Sequence, residues 1–417
     1  MLLSKIITIG DEILIGQVIN TNASFISEKL FSIGIPVKKV ITIEDTEEAL
    51  LNELDDSIKN YDVTIITGGL GPTHDDVTKP TLIKYFNDEL ISDEKVLEHV
   101  KNIFKRRNLN MPPVNYGQAM VPKNSKVIFN ESGTAPGIWI ERNKKIIVAL
   151  PGVPFEMKEM INTKIIPMLS ETFANDIKYI LKSKTFLTTG IGESHLAELI
   201  GDVKPIIGNN KLAFLPSLVG VRLRVDVKGE NVNDVNNIIG EIEEKLKNKI
   251  GDYIFGTDED LLEKIVGDLL IRKNLTLAVA ESCTGGLISS KITDISGSSK
   301  YFIGGICTYS NNSKLYILNL SKETLEKYGA VSEETAMEMA VNVRKKFNSD
   351  FGISTTGIAG PTGGTNEKPV GLVWVGFSDG SRTFAKKFMF GDNRERTKLR
   401  ATYMALVILR NHLKIFY

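Results

Sequence analysis

The chain has 417 residues, more than one hydrophobic core usually accommodates, so we expect two large domains with a smaller module between them. Lys plus Arg and Asp plus Glu both number 51, so no net field attracts nucleic acid or an anionic membrane, although a local basic site for a phosphate is compatible with this balance. No signal-like start and no membrane-length apolar run is found, and the two cysteines and four scattered histidines offer no zinc framework, so we expect a cytoplasmic protein.

The first 170 residues alternate short β-branched runs with amphipathic segments. Strands are predicted at residues 6–9, 37–43, 63–67 and 145–149, and helices at residues 22–31, 47–59 and 155–169. This alternation is typical of a mostly parallel sheet covered by helices on both faces. We therefore assign residues 1–170 to one α/β domain.

The next segment has a different pattern and is predicted to be a small α+β module at residues 176–250. Its predicted elements are strands at 184–188 and 219–227, a helix at 194–200 and a charged helix after the second strand. Residues 251–257 are predicted to be a linker, because glycine and aspartate are common in loops, and a helix is expected at 259–272.

A second α/β pattern occupies residues 255–417. Strands are predicted at 276–280, 301–308, 352–356 and 370–377, and helices at 287–292, at 332–347 and through residue 409. No internal repeat is visible. The predicted fold is therefore α/β, with two separate three-layer domains joined by the small α+β module.

Ser282 stands just past the strand at 276–280 and just before a helix. At such a turn the helix N–H groups point outward and suit an oxyanion, and the candidate substrate-binding residues beside the serine are Thr284, Gly285 and Gly286. The same position suits a helix cap, and from the local sequence Ser282 and Thr284 could equally serve as caps.

A nucleophilic serine needs a base, and this domain has no histidine before His412. Tyr309 and Lys314 follow the strand at 301–308, at the sheet edge expected for Ser282. A lysine of lowered pKa, assisted by a tyrosine hydroxyl, can take a serine proton. The alternative is a solvated Lys314 and a half-buried Tyr309 without chemical roles.

A glycine-dense loop follows the strand at 352–356, and its backbone N–H groups could approach a phosphate or a carboxamide. The candidate binding residues are Thr356, Gly357, Ala359, Gly360 and Gly363. An ordinary cluster of turns is the alternative. Asp392 is the predicted N-cap of the last helix, and Arg394 and Arg396 in its first turn would oppose the helix dipole unless they face an anion such as a phosphate.

These elements, in this order, resemble the C-terminal domain of the CinA family, known as competence/damage-inducible proteins, over residues 258–412. The resemblance implies hydrolysis of nicotinamide mononucleotide to nicotinate mononucleotide and ammonia, through an acyl-enzyme and without a metal. It implies that Ser282 is the nucleophile, that Lys314 and Tyr309 activate it, and that Thr356 helps to hold the nucleotide. The family usually has Gly-Asp-Arg where this chain has an additional Asn393, so either Arg394 or Arg396 could bind the phosphate.

Two motifs in the first domain follow its first and third strands, where ligands bind open α/β sheets. The candidate phosphate-binding residues are Gly68, Gly69, Gly71 and Thr73. The candidate ligands of Mg²⁺ or a similar ion are Asp11, Asp75 and Asp76. A turn followed by a helix N-terminus is the alternative. His74 is given no role, and Glu156 is either a site carboxylate or a helix charge.

Both motifs resemble the molybdopterin-binding fold and the N-terminal domain of full-length CinA proteins, as do residues 132–137, with Ser132 and Gly133, and residues 150–157. The resemblance implies metal-dependent cleavage of ADP-ribose at its pyrophosphate, and a homodimer. One alternative is a module that binds a molybdopterin or a nucleotide without turnover. Another is an accessory factor in DNA uptake or damage response. The balanced charge and the lack of an aromatic-basic strip argue against direct contact with DNA.

Overall fold

The computed structural model describes residues 2–73, 75–177 and 179–415, so His74 lies outside the described residues. The chain divides into two compact units, one of residues 1–183 and 227–238 and the other of residues 184–226 and 239–417. Within the described residues no helix is both long enough and apolar enough to span a membrane.

The first domain contains eight strands and seven α-helices among its described residues. The strands are β1 (Ser4–Ile9), β2 (Val37–Ile43), β3 (Val63–Thr67), β4 (Leu90–Ser92), β5 (Met120–Pro122), β6 (Lys126–Ile128), β7 (Gly137–Arg142) and β8 (Lys145–Leu150). The helices are α1 (Asp11–Leu14), α2 (Thr21–Ser32), α3 (Glu47–Asn60), α4 (Thr78–Phe86), α5 (Glu94–Arg106), α6 (Pro154–Met160) and α7 (Ile166–Thr172). A π-helical segment, Ile161–Ile165, joins α6 to α7 without a break, so the helix predicted at residues 155–169 is confirmed with a π-helical insert.

Six of these strands form the main sheet, in the order β2-β1-β3-β8-β7-β6. The first four strands are parallel to one another. β7 pairs antiparallel with β8, and β6 pairs antiparallel with β7. Successive residues of β1 enter different cores: Ile6 packs with α2, α6 and α7, whereas Ile7 packs with α3 and α4. The predicted three-layer arrangement of this domain is confirmed.

The module forms a four-stranded sheet in the order β10-β11-β9-β12. Its strands are β9 (Ile180–Thr188), β10 (Lys211–Pro216), β11 (Val221–Gly229) and β12 (Ile254–Thr257). Its helices are α8 (Glu193–Ile200), α9 (Lys204–Ile207) and α10 (Val232–Ile250).

The linker predicted at residues 251–257 is wrong, and the predicted end of the module at residue 250 is too early. Residues Ile254–Thr257 pair antiparallel with β9 and so complete the sheet of the module. Arg410, which is buried, donates to the carbonyl oxygens of Asp252 and Ile254 and fixes the approach to this strand. The pairing partner is distant in sequence, so local composition gives no sign of it.

The last domain forms a five-stranded sheet in the order β14-β13-β15-β16-β17. Its strands are β13 (Leu277–Glu281), β14 (Phe302–Cys307), β15 (Phe351–Gly357), β16 (Leu372–Ser378) and β17 (Thr383–Met389). Its helices are α11 (Leu262–Lys273), α12 (Leu287–Thr293), α13 (Asn311–Tyr316), α14 (Lys322–Tyr328), α15 (Glu333–Phe347) and α16 (Arg394–Ile415). A 3-10 turn, Ser298–Lys300, precedes β14.

Helices cover both faces of this sheet. Val279 of β13 belongs to the core formed with α11, α12 and α16, whereas Ala278 and Ala280 pack against α15. The predicted α/β, three-layer arrangement is therefore confirmed here too. Because β14, β13 and β15 run parallel, their carboxyl ends lie at one edge of the sheet, where the candidate site lies.

Candidate active site

Glu281, the last residue of β13, holds the turn that carries Ser282. Its carboxylate is fully buried and accepts hydrogen bonds from the backbone N–H groups of Gly286, Ile288 and Ser289 at 2.9, 3.0 and 2.9 Å, and from the Ser289 hydroxyl at 2.7 Å. These are first-turn donors of α12, which a helix normally leaves unsatisfied. Glu281 therefore caps α12, which the sequence analysis did not foresee.

Neither Ser282 nor Thr284 caps this helix. The N-cap position is Gly286, which has no side chain to offer, and Thr284 is fully buried with its hydroxyl 2.7 Å from that of Thr355. The cap interpretation of Ser282 and Thr284 is wrong because the carboxylate of Glu281 fulfils that role. Gly285 and Gly286 have φ values of 63° and 94°, in the left-handed region that favours glycine.

Ser282 and Lys314 meet at the sheet edge. The Nζ atom of Lys314 lies 3.0 Å from Ser282 Oγ and donates to the carbonyl oxygen of Thr308 at 2.8 Å. Ser282 is 8% exposed and Lys314 only 1% exposed. Burial lowers the pKa of Lys314, because an ammonium is poorly solvated there. Lys314 is thus a buried amine beside a hydroxyl, not a solvated helix residue.

Tyr309 points elsewhere. Its ring is exposed, and its hydroxyl accepts a hydrogen bond from Arg394 Nη2 at 2.8 Å. Its carbonyl oxygen lies 3.5 Å from Lys314 Nζ. The side chain of Tyr309 is therefore engaged with Arg394, and only its backbone approaches the Ser282–Lys314 pair.

The start of α16 differs from the prediction. Asn393 Oδ1 accepts from the N–H of Arg396 at 2.9 Å, so Asn393 and not Asp392 is the N-cap. The additional residue thus supplies the cap. Arg394 donates to the carbonyl oxygen of Gly360 at 2.9 Å, whereas Arg396 follows two positions later, on another side of the helix. Arg394 is the arginine that lies against the glycine loop.

The glycine loop is held by its own contacts. Thr356 is 1% exposed and donates its hydroxyl to the carbonyl oxygen of Ala330 at 2.5 Å, and Ala359 is also buried. Gly360 and Gly363 have positive φ values of 83° and 89°. A Cβ on Gly357 would stand 2.6 Å from the Leu372 carbonyl oxygen, so close packing requires glycine there.

The glycine loop of the first domain lies at the carboxyl end of β3. Gly68 has a φ of 111°, and a Cβ there would stand 2.3 Å from the carbonyl oxygen of Ile9. Asp76 accepts from the backbone N–H groups of Gly71 and Thr73 at 2.7 and 2.8 Å and from the Thr73 hydroxyl at 2.5 Å. Asp76 thus closes its own loop.

Asp45, missed by the sequence analysis, lies beside Asp11. It accepts from the Asp11 N–H at 2.9 Å. Burial raises the pKa of Asp45, the hydrogen bond from the Asp11 N–H partly opposes this, and the negative charges of Asp11, Glu12 and Asp75 add to the rise. The signal in the sequence was an aspartate two residues beyond a parallel strand.

The predicted metal ligands Asp11, Asp75 and Asp76 do not form one cluster. In residues 2–73, 75–177 and 179–415, no group of three or more His, Cys, Asp and Glu side chains could hold a metal ion. The oxygen chemistry suits Mg²⁺, but the carboxylate of Asp76 is taken up by its own loop. The residues as they stand do not fit a bound metal.

Ser132 and Gly133 lie against the first turns of α6. The hydroxyl of Ser132 donates to Glu159, and a Cβ on Gly133 would stand 2.1 Å from Glu156 Oε2. Glu156 accepts from Asn130 Nδ2 at 2.7 Å. Glu156 thus supports the turn at residues 130–133, a structural role for a residue whose function the sequence left open.

Three family models match the chain in succession. They are a probable molybdopterin binding domain at residues 5–171, a damage-inducible protein CinA KH domain at 183–256 and a CinA C-terminal domain at 259–413.

Similar proteins cover nearly the whole chain. A CinA-like protein of Chloroherpeton thalassium is 45% identical over 98% of this chain and 99% of its own length. A putative competence-damage inducible protein of Thermoanaerobacter pseudethanolicus is 43% identical over 98% of each chain. Among solved structures, the competence/damage inducible protein CihA of Agrobacterium tumefaciens is 37% identical, with a TM-score of 0.36, over 37% of this chain and 93% of its own.

Proposed function

This chain belongs to the CinA family, and from that premise we propose that its C-terminal domain is an amidohydrolase that converts nicotinamide mononucleotide to nicotinate mononucleotide and ammonia. The observation that carries the proposal is the 3.0 Å contact between Ser282 Oγ and Lys314 Nζ, both largely buried. A buried amine beside a hydroxyl is the arrangement by which a serine without a histidine is activated.

The surroundings of Lys314 suit the neutral amine. A neutral amine has two hydrogens and one lone pair, and the carbonyl oxygens of Thr308 and Tyr309 lie 2.8 and 3.5 Å from Nζ. With both hydrogens turned to these carbonyls, the lone pair is left for the hydroxyl of Ser282. The lowered pKa increases the fraction of neutral amine at neutral pH over that of an ordinary lysine.

The proposed reaction proceeds in two halves. Ser282 Oγ bonds to the carboxamide carbon while Lys314 takes its proton, and Lys314 then protonates the departing nitrogen so that the C–N bond breaks and ammonia leaves. Water attacks the resulting ester, giving its proton to Lys314, and the carboxylate product leaves as Ser282 regains its proton. No metal takes part in these steps.

The test of this proposal is turnover by the full-length protein. We expect ammonia and nicotinate mononucleotide in equal amounts from nicotinamide mononucleotide, with the same rate in excess EDTA. An enzyme that releases neither product, or one that EDTA inactivates, would overturn the proposal for this domain.

For the N-terminal domain we propose a nucleotide ligand, ADP-ribose, held at the loop that contains Gly68, Gly69, Gly71 and Thr73. The supporting observation is the placement of this loop beyond a parallel strand, with Gly68 packed directly against β1. Cleavage of the pyrophosphate would need a divalent metal, and no step is assigned to one here because the carboxylates do not fit it as they stand. A module that binds without turnover is the competing proposal.

Calorimetric titration with ADP-ribose, together with a chromatographic assay for AMP and ribose 5-phosphate with and without Mg²⁺, separates these two proposals. Formation of AMP and ribose 5-phosphate that requires the metal supports catalysis. Binding without turnover at any metal concentration supports the module, and an absence of binding overturns both.

A further inference from the structure

Lys398 is a second cation beside the Ser282 turn. It follows Arg394 by four positions in α16, so both side chains emerge on the same face of the helix. A Cβ on Gly285 would stand 3.7 Å from Lys398 Nζ. Burial and the negative charge of Glu281 raise the pKa of the Cys307 thiol, and the positive charges of Lys314 and Lys398 oppose that rise, so the charge of Lys398 also acts on the end of β14.

Lys398 has no ion-pair partner within residues 2–73, 75–177 and 179–415. Its Nζ atom makes no hydrogen bond or ion pair with any residue in the described part of the chain, although the side chain is partly buried. Arg394, by contrast, is fixed by Gly360 and Tyr309. The N–H donors of the Lys398 ammonium are therefore available to an anion that enters the site.

The neighbouring helix N-terminus offers no alternative for such an anion. The first-turn N–H groups of α12, which would otherwise attract a phosphate, are occupied by the carboxylate of Glu281. A negative group entering beside Ser282 therefore meets α16, where Arg394 borders the glycine loop and Lys398 borders Gly285.

We propose that Lys398, with Arg394, binds the phosphate monoester of the substrate, and that Lys398 makes the site prefer phosphorylated over unphosphorylated nucleosides. The proposal rests on the amidohydrolase function proposed above and names the group by which that site selects its substrate. Because the phosphate is remote from the carboxamide, its contact with Lys398 stabilises the bound substrate and the transition state equally.

The matched variants are Lys398→Gln and Arg400→Gln. Arg400 is exposed on the same helix, two positions further on, and points away from the Lys398 face. For Lys398→Gln we expect KM for nicotinamide mononucleotide to rise roughly 10- to 100-fold with little change in kcat, as for loss of one charge-assisted hydrogen bond. With nicotinamide riboside, which lacks the phosphate, we expect no change, and Arg400→Gln should match the wild type on both substrates.

Equal losses on both substrates in Lys398→Gln, or an unchanged KM for the mononucleotide, would overturn the proposal. Binding of inorganic phosphate, measured by the broadening of its ³¹P resonance, gives a readout that does not depend on turnover. Broadening by the wild type and Arg400→Gln but not by Lys398→Gln supports the site even if the amidase proposal fails. Equal broadening by all three proteins overturns it.

Discussion

Both α/β domains place a glycine loop beyond a parallel strand, yet their charged side chains differ in burial and in partner. In the C-terminal domain, Glu281 and Lys314 are buried, one capping a helix and the other contacting the candidate nucleophile. In the N-terminal domain, Asp76 closes an exposed loop and Asp45 lies among other carboxylates. Strand-end position thus indicates where a ligand binds, whereas burial and pairing determine which chemistry is available.

The largest effect should come from Lys314→Met, which keeps the apolar stem and removes the amine. We expect the amidase rate to fall roughly 1,000-fold or more, as for other catalytic bases, because no histidine can replace the amine. Ammonia release under substrate saturation measures this. Lys322→Met, at a lysine whose side chain is 79% exposed, serves as the control and should keep full activity. If the amidase rate of Lys314→Met is within tenfold of the wild-type rate, Lys314 is not the catalytic base, and its buried charge has no more chemical role than those of the N-terminal domain.

Glu281→Gln tests the buried cap. Both carboxylate oxygens of Glu281 accept from backbone N–H groups, and in glutamine one of these oxygens is replaced by an NH₂ group, which cannot accept. We therefore expect a loss of about 3 kcal/mol in the free energy of unfolding. Urea titration of the wild type and the variant measures it. The control is Glu326→Gln, with a side chain 67% exposed, which should change stability by less than about 0.5 kcal/mol. If the two variants are equally stable, Glu281 does not hold the turn.

Asn393→Ala and Asp392→Ala compare the observed cap of α16 with the one expected from the sequence. We expect Asn393→Ala to cost about 1 kcal/mol of unfolding free energy, because the Arg396 N–H loses its acceptor, and Asp392→Ala to cost little. Thermal unfolding of both variants decides between them. A larger loss in Asp392→Ala would restore the cap predicted from the sequence.

The smallest effect should come from Asp45→Asn in the N-terminal domain. The pKa of Asp45 is higher in the folded state than in the unfolded state. Its contribution to stability is therefore fully present below the unfolded-state pKa and is lost as the pH rises through the folded-state pKa. Removing this charge should therefore raise stability at pH 7, by less than about 1 kcal/mol for a partly exposed group, and leave it unchanged at low pH. Urea midpoints at both pH values, with the exposed Glu171→Gln as reference, test this. A lower midpoint at pH 7 would show that Asp45 has an attractive partner.

The elements predicted best were those in which each residue's local preference agrees with the final fold. Strands at 37–43 and 63–67 match β2 and β3 in full, because β-branched runs bounded by polar segments have few alternatives. No element was predicted between residues 68 and 144, where the structure has α4, α5 and four strands. Three of those strands, β4–β6, have only three residues each, too few to produce a period.

In the site, Ser282 and Lys314 were predictable because parallel strands deliver their ends to one edge. The cap supplied by Glu281 was not, because a glutamate that ends a strand gives no local sign that its side chain turns toward the following helix. The capping role of Asn393 was also missed, because the sequence predicted the start of α16 one residue too early, with Asp392 as the cap.

The central claim is that Ser282 is the nucleophile of an amidohydrolase, and ammonia release from nicotinamide mononucleotide by Ser282→Ala tests it most directly. Ser310, which caps the nearby α13, provides the matched variant Ser310→Ala on the same edge. We predict that Ser282→Ala abolishes ammonia release while Ser310→Ala retains it. Ammonia release by Ser282→Ala at the wild-type rate would contradict the account.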